Sequence, residues 1–98
     1  MSEFDERMAL LRERFAARCG ERHGQLAAVL HGRDAAAVVR IAHELAGTAG
    51  IFGYAQLSRM AQDLEEIARA GDGGGERLET RGNEVLGVLA ELSGGAGR

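Results

Sequence analysis

The sequence predicts an all-α protein, an antiparallel up-and-down four-helix bundle with or without a short extra N-terminal helix. Three observations carry that expectation. Four successive segments repeat apolar residues at three- and four-residue spacings, as helices with one buried face do. The chain has no proline, so glycine clusters are its main punctuation. The connections between segments are short, which sets successive helices side by side and antiparallel. No strand pattern and no internal repeat competes with this reading.

The first stripe is Phe4, Met8, Leu11, Phe15 and Cys19, continuing to Leu26, Val29 and Leu30. It describes one long helix or two short ones, and Gly20 and Gly24 favour a break or bend over Cys19–Gly24. Gly32-Arg33-Asp34 forms a turn, with Asp34 placed to cap the next helix. That second helix runs from about residue 35 to 51, with Val38, Ile41, Leu45 and Phe52 as its large apolar residues and Thr48 filling the gap. Gly53 suits a left-handed C-terminal position. A third stripe follows in Leu57, Met60, Ala61, Leu64, Ile67 and Ala68, ending in the glycine-rich turn 71–75. The last helix carries Leu78, Val85, Leu89 and Leu92. Gly82 and Gly87 weaken it, so its stability must come from packing. The domain is expected to span residues 1–93, with 94–98 a loose, disordered tail.

The 98 residues suffice for one domain with one modest core. The net charge is −3 with both signs interspersed, so no basic stripe points to nucleic acid and no basic amphipathic segment to a membrane surface. No run approaches the roughly 18 apolar residues of a membrane span. The opening MSEFDERMALLRERF is charged throughout and is not a signal peptide. The lone Cys19 forms no intrachain disulfide and is expected to pack as a small apolar residue. Together these features point to the cytoplasm and to a monomer.

His43 is the informative residue. At about 100° per residue it falls roughly opposite the centre of the apolar face of its helix. Its outer-face neighbours are Ala36, Arg40, Gly47 and Gly50, so an exposed imidazole is ringed by almost nothing. Glycine in an exposed helix interior costs about 1 kcal/mol relative to alanine, and clearing space around a reactive ring explains that cost. The other reading is a surface histidine without a task. His31, at a helix end where it complements the dipole, and His23, in the Gly20–Gly24 region, lack such small neighbours. The three histidines have no metal-ligand spacing. Asp63, Glu65 and Glu66 read as a solvated face rather than as an acid–base pair. No phosphate-binding loop or dinucleotide fingerprint is present, so the chain is not expected to phosphorylate itself from ATP.

The stretch AHELAGTAGIFGYAQLSRMAQDLE, residues 42–65, resembles the histidine-containing phosphotransfer (HPt) domain of bacterial phosphorelays. His43, Leu45, Gly47, Gly53, Leu57, Leu64 and Glu65 match the family pattern, and the flanking helices extend the resemblance over nearly the whole chain. The resemblance implies that His43 is the phosphoacceptor, taking a phosphoryl group from a receiver-domain aspartate through Nε2 and passing it to another receiver. An unperturbed imidazole is largely neutral at cytoplasmic pH, which suits a nucleophile. The implied partners are receiver domains of response regulators and hybrid histidine kinases. The protein needs no cofactor of its own, since the receiver supplies Mg²⁺. Ala46 stands where the family often has a lysine that helps neutralise the phosphoryl group, and Arg40, one turn earlier, is the candidate substitute. Gly47 gives clearance. Val39, Ala46, Gly50, Gln56 and Arg59 are expected to form the docking surface. Two other readings remain: an adaptor that binds a receiver or kinase without carrying phosphate, and the phosphoacceptor domain of a larger chemotaxis-type kinase. The Met1 start and the loose tail favour a free-standing protein over the latter.

Overall fold

The computed structural model describes residues 2–71 and 75–96. Its four helices are α1 (Glu3–His31), α2 (Ala35–Ile51), α3 (Ala55–Ala70) and α4 (Gly75–Ala96). Each packs antiparallel to its sequence neighbour, and α4 returns to lie along α1. Arg22 of α1 reaches Glu44 of α2 at 3.0 Å, Ser58 of α3 reaches the Ala46 carbonyl of α2 at 2.8 Å, and Arg81 of α4 reaches Asp63 of α3 at 2.7 Å. The predicted up-and-down bundle is the observed one.

Local signals set the helix ends. The Ser2 hydroxyl accepts from the Asp5 N–H at 3.2 Å, and Glu3, Asp5 and Glu6 complement the dipole in the first turn of α1. The Asp34 carboxylate accepts from the Ala37 N–H at 3.1 Å and starts α2 as its position predicts. Gly53 (φ 84°) and Gly71 (φ 66°) occupy the left-handed conformation after α2 and α3, where glycine carries no Cβ penalty.

The core is one cluster of Phe15, Cys19, Leu26, Val38, Ile41, Leu45, Leu57, Leu64, Val85 and Leu89 with small alanines between them. Phe15 anchors one end. Its ring lies 5.0 Å from that of Tyr54 and 5.3 Å from that of Phe52. Cys19 is buried there as an apolar residue, and burial pushes its thiol pKa up.

Three expectations are corrected. First, α1 is a single helix with no break at Cys19–Gly24 and no separate N-terminal helix. Gly20 is there for close approach, since a Cβ on it would sit 2.8 Å from Ser93 Oγ of α4. Gly82 does the same work from α4, where a Cβ would meet Leu30 Cδ1 at 2.7 Å. Both glycines let α1 and α4 approach closely, and α4 is continuous through Gly82 and Gly87. Second, α4 is helical through Gly94 to Ala96, where a loose tail was expected from 94; residues 97 and 98 lie outside the described residues. The same holds for 72–74 of the glycine-rich turn. Third, the buried face of α2 is wider than its large residues mark. Ala37, Ala42, Ala46 and Ala49 are buried as well, and Ala42, Ala46 and Ala49 form a row along which α3 packs closely.

Candidate functional site

His43 lies near the middle of α2, and its side chain is 72% exposed. Ala36, Arg40, Gly47 and Gly50, its neighbours on the helix surface, are exposed too. A Cβ added at Gly47 would meet nothing within 4 Å, so the space beside the imidazole is open on that side. At Gly50 a Cβ would come to 3.5 Å from Ser58 Oγ, an ordinary contact with α3.

The imidazole is nevertheless held. His43 Nδ1 lies 3.2 Å from both carboxylate oxygens of Glu65 on α3. Glu65 is itself clamped by Arg69, one turn on, whose Nε and Nη2 donate to Glu65 Oε2 at 3.0 and 2.8 Å. The Glu65 side chain is only 14% exposed, wedged between the two. The Arg69 hydrogen bonds hold its carboxyl below the usual carboxylate range; partial burial opposes them and His43 assists.

This arrangement has a chemical consequence. An ionised carboxylate only accepts hydrogen bonds. Glu65 therefore favours the tautomer in which Nδ1 carries the proton and Nε2 keeps its lone pair. The ring is oriented from one side and nucleophilic on the other.

The helix hairpin explains the pairing. Residues 43 and 65 are mirror images about the α2–α3 turn at Tyr54, and the alanine row lets the two helices approach closely. Glu65 is thus not part of a merely solvated face, as the sequence reading had it. Asp63 is not either, since it binds Arg81. The mirror relation about the turn was the available signal for Glu65.

The other expected site residues separate into two groups. Arg40, Gln56 and Arg59 are exposed, and Arg40 makes no ion pair among the described residues. Gln56 and Arg59 lie on the first turns of α3, toward Gly50 rather than opposite His43. Ala46 was expected on the outer face, but it is 7% exposed and packs against α3, where its carbonyl accepts from Ser58. Val39 is half-buried against the core rather than open. Ala46 is too buried to offer the apolar docking patch expected of it, and Val39 presents only part of its surface. The alanine row turns position 46 inward, and the core draws Val39 in.

His23 is half-buried within the unbroken α1 and His31 is exposed in its last turn. No group of three metal-ligating side chains occurs among the described residues. No helix among them is long and apolar enough to cross a membrane.

The sequence model of the Hpt domain matches residues 10–94 of the chain. No curated relative and no solved structure matches it.

Proposed function

The chain belongs to the Hpt domain family, whose members carry out histidine phosphotransfer with receiver domains in phosphorelays, and we propose that His43 is its phosphoacceptor. One observation supports this most directly: an imidazole whose side chain is 72% exposed while its Nδ1 is held by a carboxylate.

In this reading Nε2 attacks the phosphorus of an aspartyl-phosphate on a receiver. A P–N bond forms as the P–O bond to the aspartate breaks, and the aspartate leaves as a carboxylate. The reverse exchange delivers the group to the aspartate of a second receiver. No proton has to leave Nε2, because the tautomer set by Glu65 has none there. Positioning and charge neutralisation supply the rate. The receiver brings Mg²⁺ and the reacting carboxylate; this chain contributes the oriented ring and a surface on which to dock.

That surface comprises the exposed side of α2 at Arg40, Gly47 and Gly50, with Gln56 and Arg59 on α3. Gly47 leaves room for the incoming phosphoryl group. Arg69 supports the ring indirectly, as the cation that holds the Glu65 carboxylate beside it. Arg40, exposed on α2 and without an ion pair among the described residues, remains the candidate substitute for the lysine absent at Ala46.

Phosphorus NMR of the protein after incubation with a phosphorylated receiver tests the assignment. A phosphohistidine signal of the Nε2 isomer, lost on His43→Gln, is the expected result. The Nδ1 isomer, or label on His23 or His31, refutes it.

A further inference from the structure

We propose that Gln62 is the hydrogen-bond donor that the phosphoryl group on His43 meets on its α3 side, and so a further catalytic residue of this site. The proposal rests on His43 being the phosphoacceptor and adds a group that no reading of the sequence singled out.

The register of the α2–α3 hairpin places Gln62. Ser58, Gln62 and Glu65 follow one another on α3 at four- and three-residue steps, the spacing of helical neighbours. Both ends of this row touch α2. Glu65 reaches His43 Nδ1 at 3.2 Å, and the Ser58 hydroxyl donates to the Ala46 carbonyl at 2.8 Å. Gln62 stands between them. It is therefore level with Ala46 and Gly47, about one turn beyond His43 along α2. The mirror relation that pairs residue 43 with 65 about the turn pairs 46 with 62 as well.

The Gln62 amide has capacity to spare. Gln62 is exposed, and its Nε2 lies 3.4 Å from Ser58 Oγ. Ser58 has one proton and gives it to Ala46, so toward Gln62 its oxygen can only accept. The atom of Gln62 that faces it is thus the amide nitrogen, whose second N–H has no partner among the described residues. A contact of 3.4 Å is long for a hydrogen bond. It is readily exchanged for a charged oxygen, which makes the shorter and stronger bond.

The space beside this amide is open. A Cβ at Gly47 would meet nothing within 4 Å, and one at Gly50 would meet only Ser58 Oγ. Ala46 is 7% exposed and too short to reach into the clearing. On the α3 side the clearing is bordered by Glu65 and Gln62. Glu65 is an anion engaged by His43 and Arg69, and an anion repels phosphoryl oxygens. Gln62 is the donor. A phosphoryl group entering over Gly47 brings its oxygens alongside the Gln62 amide, and turning the Gln62 side chain frees Nε2 from Ser58 to meet them. Arg40, one turn before His43, approaches from the other side of the ring, so the two residues act independently.

Phosphoramidate tests the proposal without a partner protein, since this small donor passes its phosphoryl group to imidazole with ammonia as the leaving group. In wild type the Gln62 side-chain amide protons should shift downfield in NMR spectra as Nε2-phosphohistidine forms. They should stay in place in His43→Gln. Gln62→Met keeps the length of the side chain but has no donor. It should form phosphohistidine about ten-fold more slowly, the low end for loss of a hydrogen bond to a charged group. Gln62→Lys should regain at least the wild-type rate. Thermal melts of these proteins should coincide, because Ser58 keeps its bond to Ala46. Gln62→Met reacting at the wild-type rate, Gln62→Lys no faster than Gln62→Met, or a Gln62 amide unmoved by phosphorylation overturns the proposal while leaving His43 as the phosphoacceptor. Wild type that forms no phosphohistidine at His43 overturns that reading and the proposal together.

Discussion

The carboxylate of Glu65 reaches across the α2–α3 interface and accepts from Nδ1 of His43, with 3.2 Å to each oxygen. The contact is possible because Ala42, Ala46 and Ala49 bring the two helices close and because the hairpin turn sets residues 43 and 65 level. An exposed ring is thereby given one orientation and one tautomer.

Glu65→Ala removes that constraint without touching the nucleophile. Phosphotransfer should slow on the order of 10-fold, the lower end of the loss seen when the carboxylate orienting a metal-bound imidazole is removed. Nitrogen chemical shifts should show the ring losing its preference for the Nδ1-protonated form. A full-rate variant with an unchanged tautomer would mean the contact is ornamental.

Arg69→Ala releases the clamp on Glu65. The folded-state pKa of Glu65 lies below its ordinary value. Its pairing therefore stabilises the fold fully above the ordinary carboxylate range and is lost as pH falls through the depressed value. Wild type should be the more stable at neutral pH, by about 0.3–0.5 kcal/mol for a pair of this spacing. The gap should close on acidification, and Glu65 in the variant should titrate closer to an ordinary glutamate. Paired denaturation curves across the acid range, with carboxyl carbon shifts, measure both. A gap that is constant with pH contradicts the electrostatic account.

Gly47→Leu and Gly82→Leu make the same substitution in opposite surroundings. Open space surrounds a Cβ at Gly47, and Leu30 crowds one at Gly82. The first variant should melt no lower than wild type, with leucine gaining several tenths of a kcal/mol as a helix former. It should still transfer phosphate poorly, because its side chain stands beside the imidazole. The second should lose about 1–3 kcal/mol by overpacking the α1–α4 contact. Thermal melts paired with transfer time courses separate the two effects. If Gly47→Leu destabilises the fold, or transfers at full rate, the clearance argument fails.

The bundle, the Asp34 cap, the Gly53 stop and the exposure of His43 were legible in the sequence because each depends on neighbours within a turn or on helical period. What was not legible depends on which helix lies opposite. Gly20 looks locally like a bend, and only the approach of Ser93 shows it to be a contact. Ala46 looks outward when the face of α2 is drawn from its large residues, and only the α3 contact shows that the alanines are buried too. Glu65 reads as part of a solvated face until the hairpin register sets it, with Arg69, beside His43.

The most direct test is transfer of radiolabelled phosphate from a phosphorylated receiver to wild type and to His43→Gln, with helicity measured on both. The account predicts acid-labile, base-stable label on the wild type and none on the variant. It also predicts equal helicity, because a ring this exposed contributes little to packing. Label of that chemistry persisting on His43→Gln would contradict it.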